Sequence, residues 1–295
     1  MKPNPFWKRI PFFLYPIIKI VLFILVFIAT RLFGEPQQSE QVKAQLISEV
    51  QSIQPGQLFC VALRLKMNEH WHTYWINSGD SGLPTKIEWS LPDGFIAGDV
   101  QWPYPQKFIT PTAVSFGYKG EILLITKISA PENIKSGLNV KISASVDWMV
   151  CKDSCIPGHA DLKIVMPVKN EEPKINSKWA DNFSKTRKNL PKKFSDWEIN
   201  VSLKKNKILI QITPPIWFKS ELTTMTFLPE QGGIINYSAP QNLKRSGNRY
   251  IIEIQRSKLS KKLPVRLRGV LFSQKSWSNS GQEYALRFDV PLNEY

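Results

Sequence analysis

The chain has 295 residues, 42% of them hydrophobic, with ten tryptophans and sixteen phenylalanines, enough apolar material for two domain cores and too much for wholesale disorder. Its three cysteines are too few for a disulfide-stapled scaffold. The net charge of +15 is unevenly placed: residues 1–34 carry five basic and no acidic side chains, 35–168 carry 11 and 13, and 169–295 carry 23 and 11, a balance that fits attraction to anionic lipid headgroups and comes with no nucleic-acid-binding motif.

Met1 to Arg9 is basic, and Ile10 to Phe33 is apolar except for Lys19, Thr30 and Arg31. Residues 1–34 therefore read as a signal peptide cleaved after Gly34, with Ile20 to Ala29 as its apolar core, or as a membrane anchor over residues 10–33. Both readings put the rest of the chain across the inner membrane, in the periplasm, where cysteine pairs can be oxidised.

From Glu35 the periodicity becomes that of strands. Val42 to Val50 alternates, Pro55-Gly56 turns, and Leu58 to Leu65 forms a buried strand that carries Cys60 as an inert apolar thiol. In His70-Trp71-His72-Thr73-Tyr74-Trp75 the two histidines would share one side of a strand, as a metal arm or, by preference, as a packed and hydrogen-bonded sheet face. Ile87 to Leu91, Ile122 to Ile128 and Leu138 to Val146 are further strands. The proline-rich run from Trp102 to Pro111 reads as a loop bearing aromatic side chains.

The most chemically loaded stretch runs from Trp148 through Cys151-Lys152-Asp153-Ser154-Cys155 to Pro157-Gly158-His159. Two thiols with three residues between them can reach each other, so dithiol–disulfide chemistry is available. Lys152 favours a Cys151 thiolate and Asp153 opposes it. Three readings compete. A static staple closing so short a loop removes little chain entropy; Cys151, Cys155 and His159 offer copper or zinc three ligands with no evident fourth, Met149 being a candidate for copper alone; a reversible redox pair needs nothing more than the two sulfurs. Asp161 to Val168 then alternates and closes a domain over residues 35–168.

Asn170 to Lys174 is a charged linker, and Trp179 to Leu190 reads as a short helix with Phe183 and Leu190 inward, stopped before Pro191. Six further strands, Trp197–Leu203, Lys207–Thr213, Thr223–Leu228, Tyr250–Ile254, Val265–Phe272 and Tyr284–Val290, make residues 169–295 a second β domain. It has no histidine and no cysteine, hence neither the usual general base nor a thiol nucleophile. The fold class is all-β, two sandwiches behind the leader.

Four blocks, His70 to Thr85, Gln101-Trp102-Pro103-Tyr104-Pro105, Gly117 to Glu121 and Trp148 to Gly158, resemble in order the periplasmic amino-terminal region of the DsbD family, nearest to its ScsB-like (suppressor of copper sensitivity) branch. The second half resembles the second immunoglobulin-like domain of that branch through Arg268-Gly269-Val270-Leu271 and Asp289-Val290-Pro291-Leu292. The resemblance implies two immunoglobulin-like domains and a catalytic pair, Cys151 and Cys155, that takes electrons from a transmembrane thiol relay and passes them to periplasmic thioredoxin-like proteins. It implies a thiol–disulfide oxidoreductase with no cofactor or metal beyond the redox-active disulfide. Copper tolerance and cytochrome c biogenesis are the processes it attaches. It also implies an aromatic cap, aligned with Tyr104 to Tyr118, with Phe108 as the first choice of lid, Phe116 as the second, and Tyr118, Trp148 and His159 as neighbours. The membrane and thioredoxin-like domains of full-length members do not follow here, so the relay is expected to be a separate polypeptide. Cys60 stands where an ordinary apolar residue is expected, which leaves open a mixed disulfide or simple burial.

Overall fold

The computed structural model describes residues 37–294 apart from 39, 259 and 261; the predicted leader and anchor, residues 1–34, lie outside the described residues. Among the described residues no helix is long and apolar enough to cross a membrane.

The chain is all-β. In order it runs β1 (Gln37–Gln38), β2 (Val42–Ser48), β3 (Leu58–Met67), β4 (His72–Gly79), β5 (Lys86–Ser90), β6 (Ile96–Gln101), β7 (Gln106–Ile109), β8 (Val114–Lys119), β9 (Glu121–Ser129), β10 (Asn139–Cys151) and β11 (Cys155–Pro167). Helix α1 (Ala180–Lys188) follows, then β12 (Glu198–Lys204), β13 (Lys207–Thr213), β14 (Met225–Pro229), β15 (Asn242–Ser246), β16 (Arg249–Gln255), β17 (Arg266–Ser273) and β18 (Ala285–Glu294).

Residues 37–167 build two sheets, β1-β2-β3-β9-β6 and β11-β10-β4-β8-β7, with β5 added to β10. The period-two pattern explains the packing. Along β10, Val140, Ile142, Ala144, Val146, Trp148 and Val150 are buried on one face, and they meet Leu46, Val61, Leu63 and Leu65 of the opposite sheet in one core. The remaining strands form a third sheet, β14-β17-β18-β12-β13-β16-β15, whose two halves are joined by the parallel pairing of β12 with β18. Its core gathers Ile208, Ile210, Ile252, Phe227, Leu271 and Trp277.

Helix α1 lies over the other face of β3 and β9. Phe183, fully buried, and Trp179 cover Ile47, Ala62, Leu123, Ile125 and Cys60. Leu190, expected inward with Phe183, falls beyond the helix and is only half-buried. Cys60 is the one free cysteine. It sits under Arg187, which is paired with Glu49 and reaches the Cys60 sulfur at 3.5 Å, and burial pushes its thiol pKa up.

Two local readings are corrected. The run from Trp102 to Pro111 is not all loop: residues 106–109 are β7, an edge strand paired to β8, with Pro103, Pro105 and Pro111 outside the ladder where no amide hydrogen is required. His70 and His72 do not share a strand face either. His70 occupies a turn with φ +69° before β4 begins, exposed beside Glu69, and only His72 enters the sheet.

Candidate redox site

Strands β10 and β11 form one hairpin in continuous register from Asn139↔Pro167 to Cys151↔Cys155. The cysteines are therefore its last cross-strand pair, with Lys152, Asp153 and Ser154 as the connecting loop and Lys152 N–H donating to the Ser154 carbonyl. Their Cα atoms are 4.2 Å apart and their sulfurs are bonded. The two cysteines differ in exposure: Cys151 is 4% exposed, whereas Cys155 is an exposed residue.

Neighbouring strands supply the walls. Cys151 stands across the register from His72 on β4, and His72 stands across from Lys119 on β8. The Tyr74 hydroxyl is 3.3 Å from the Cys155 sulfur. Burial holds the Tyr74 pKa above its ordinary value, so the hydroxyl keeps its proton and is able to donate to a sulfur that becomes a thiolate. The Tyr74 ring is only 2% exposed because the 80–85 loop folds over it. Gly82 makes that contact at φ +81°, and a Cβ there would stand 2.1 Å from the ring.

Phe108 of β7 stacks on His72 with centroids 4.4 Å apart and planes at 26°, and the Lys119 ammonium lies 5.1 Å from the Phe108 centroid. Burial first and Lys119 second lower the His72 pKa, leaving a neutral imidazole beside the pair near neutral pH. The pair is thus bordered by a phenol, a neutral imidazole and an aromatic ring on the outer face of one sheet.

The other expected neighbours lie elsewhere. Phe116 is 2% exposed and turned to the opposite face, edge-on to Trp75 and to Tyr237 of the β14–β15 connection; core packing accounts for it, and it is no lid. Tyr118 shares that inner face, and its hydroxyl donates to the Pro103 carbonyl at 2.7 Å, with burial raising its pKa well above the ordinary value. Trp148 points into the core with Val146 and Val150, and its ring fills the space a Cβ on Gly158 would need, 2.3 Å away. His159 is exposed, 2.8 Å from Asp147 and 3.6 Å from Asp161, and the Asp147 hydrogen bond raises its pKa. It shares a strand face with Cys155, about 13 Å along β11 at the usual strand rise. The Cys151, Cys155 and His159 set is therefore not assembled, and among the described residues no group of three or more His, Cys, Asp or Glu is placed to hold a metal ion.

Tyr74 and Lys119 are residues beside the pair that sequence reasoning missed, and His72, read there as a metal arm or by preference a packed sheet face, stands in the sheet stacked on Phe108. The available signal was the alternation of His72 and Tyr74 on one face of β4, opposite Thr73 and Trp75.

Residues 38–167 match the family model described as "Thiol:disulfide interchange protein DsbD, N-terminal". The chain is similar in structure to the N-terminal periplasmic domain of ScsB from Proteus mirabilis, with a TM-score of 0.61 and 12% identity over 87% of this chain and 97% of that one; this likeness establishes fold alone. A protein of unknown function from Porphyromonas gingivalis W83 aligns at TM-score 0.25 and 10% identity, covering 85% of this chain and all of that one, and the periplasmic chaperone SfaE at TM-score 0.22 and 10% identity over 85% and 100%. Neither bears on fold or function. No curated protein matches the chain in sequence.

Proposed function

Because residues 38–167 are a DsbD amino-terminal-like domain with a thiol–disulfide interchange role, we propose that the chain is a periplasmic protein-disulfide reductase. In this reading it relays electrons between a transmembrane thiol relay and thioredoxin-like partners through Cys151 and Cys155. The observation that carries it is the asymmetry of the pair: one cysteine buried, the other an exposed residue with a phenol hydroxyl 3.3 Å from its sulfur.

A donor thiolate attacks the Cys155 sulfur and breaks the Cys151–Cys155 bond. Cys151 leaves as a thiolate and takes up a proton, and a mixed disulfide joins Cys155 to the donor. The donor's second thiolate then attacks its own bridged sulfur and releases Cys155. The donor leaves with a disulfide and the pair holds two electrons and two protons. Delivery runs in reverse: Cys155 attacks a client disulfide and Cys151 resolves the intermediate. Tyr74 donates to Cys155 whenever that sulfur is a thiolate, which stabilises it as nucleophile and as leaving group.

A redox titration of the full chain tests the reading, with a reversible two-electron couple above about −300 mV expected, since structural disulfides lie below that value. In Cys151→Ser, a thioredoxin-like protein should be captured as a mixed disulfide on Cys155. A pair that stays oxidised below that potential, together with no capture, refutes the exchange role.

A further inference from the structure

Asn77 of β4 and Tyr237, in a turn of the segment connecting β14 to β15, meet at a buried polar contact. The Asn77 amide donates to the Pro229 carbonyl at 2.7 Å and to the Tyr237 hydroxyl at 3.2 Å. The Tyr237 hydroxyl donates to Asn77 Oδ1 at 3.3 Å and accepts from Gly233 N–H at 2.8 Å. Asn77 is 4% and Tyr237 5% exposed, so these groups have no access to compensating water. The same tyrosine touches the β7–β8 hairpin twice. Its carbonyl accepts from the Lys107 ammonium at 3.0 Å, and its ring meets Phe116 edge-on with centroids 5.3 Å apart.

Asn77, Lys107 and Phe116 lie behind strands whose front face carries His72, Tyr74, Phe108 and Lys119. From Asn77 the contacts continue forward. Asn77 Oδ1 accepts from Gly79 N–H at 3.1 Å, the neighbouring Ser78 hydroxyl donates to the Gly82 carbonyl at 2.9 Å, Gly82 lies against the Tyr74 ring, and the Tyr74 hydroxyl is at Cys155. The Asp80 carboxylate also accepts from Val114 N–H at 2.8 Å, fixing the same loop to β8. The register of β4 against β8 is broken between Tyr74 and Gly79 and resumes at Gly79 opposite Ser115, with Asp80 N–H donating to the Val114 carbonyl at 2.8 Å; across the break, at Asn77, the contact with Tyr237 supplies what the ladder omits.

We propose that Tyr237, contributed by the second domain, is a positioning residue for the redox pair, holding the 78–82 segment and through it the Tyr74 hydroxyl against Cys155. This rests on the exchange reading for its purpose, not for its geometry. The second domain, which has no cysteine of its own, thereby becomes part of the redox centre, and its docking sets the chemistry of a sulfur on the far side of the sheet.

The test is a thiol titration of the reduced full-length chain, following the more acidic cysteine by thiolate absorbance, with Cys60→Ala as the common background. Tyr237→Phe keeps the ring on Phe116 and removes the hydroxyl. It is expected to raise the Cys155 thiol pKa by about half a unit, the scale of a weakened hydrogen bond to a charged group. Tyr74→Phe raises it further, and the double variant matches Tyr74→Phe alone, because Tyr237 acts through Tyr74. Gln241→Ala, which removes a pair of hydrogen bonds to Phe227 within the second domain, lowers Tm without moving the thiol pKa. An unmoved pKa in Tyr237→Phe, full additivity with Tyr74→Phe, or an equal shift in Gln241→Ala overturns the proposal. Thiol acidity is read whether or not the pair exchanges with any protein, so failure of the exchange role shows separately, in the wild-type potential.

Discussion

Tyr74 lends its hydroxyl to Cys155, 3.3 Å away, while its ring remains buried under the 80–85 loop. Ser81 shares that hydroxyl, and the Cys155 sulfur is the partner across the hairpin end to which it can donate.

Tyr74→Phe tests this directly. Removing a hydrogen bond to a charged group costs about 1.5–3 kcal/mol, or about one to two pKa units on the thiolate it stabilised. The Cys155 thiol is expected to become that much less acidic, with a lower reduction potential and little change in Tm. An unchanged thiol titration would show the 3.3 Å contact to be packing only.

The loop over Tyr74 depends on Gly82, at φ +81° with no room for a Cβ. Gly82→Ala combines left-handed strain with a clash against an aromatic ring, and we expect a loss of about 2 kcal/mol in stability. We also expect the disulfide to be reduced faster by dithiothreitol, since the loop would lift from the ring. Denaturant unfolding and the reduction rate measure the two effects, and normal values of both would place the loop's hold on Tyr74 elsewhere.

Cys60 is expected to take no part in exchange. It is 9% exposed under α1, and burial, with Glu49 beside it, raises its pKa, so little thiolate forms at neutral pH. Cys60→Ala should keep the wild-type potential and the Cys155 mixed disulfide, and Cys60 should alkylate far more slowly than the reduced pair. Capture of a partner through Cys60 in the native chain would contradict this.

Much of this architecture is legible in the sequence, because β10, β11, β13 and β16 keep the alternation of half-buried strands, β3 reads as the continuous apolar run of a strand buried on both faces, and the cysteines end a hairpin marked by that alternation. Strand β15 is not: Asn242 to Ser246 is a polar edge strand, and only Leu243 is apolar. The walls of the redox site were hidden for another reason. They arise from cross-strand register, Cys151 against His72 and His72 against Lys119, between segments far apart in the chain. Choosing between Phe108 and Phe116 required knowing that residues 106–109 are a strand. Once Lys107 pairs with Phe116 and Phe108 with Ser115, alternation puts Phe108 on the outer face and Phe116 on the inner one.

The two sheet-borne histidines should give the chain opposite pH responses on either side of 6.5, the ordinary histidine value. Burial lowers the His72 pKa in the folded chain, so the unfolded chain binds the proton more readily. His72 then contributes stability that is present above pH 6.5 and lost as pH falls through its folded pKa. His159 is the reverse: the Asp147 hydrogen bond raises its folded pKa, so its contribution is full below 6.5 and lost as pH rises through the raised value. Protonating His72 also sets a charge against Lys119 and disturbs the stack with Phe108. In urea unfolding from pH 5 to 8, His72→Gln should flatten the acid limb only, and His159→Gln the limb above 6.5 only. An acid limb that persists in His72→Gln would assign it to carboxylates, and the neutral imidazole beside Cys151 would lose its support.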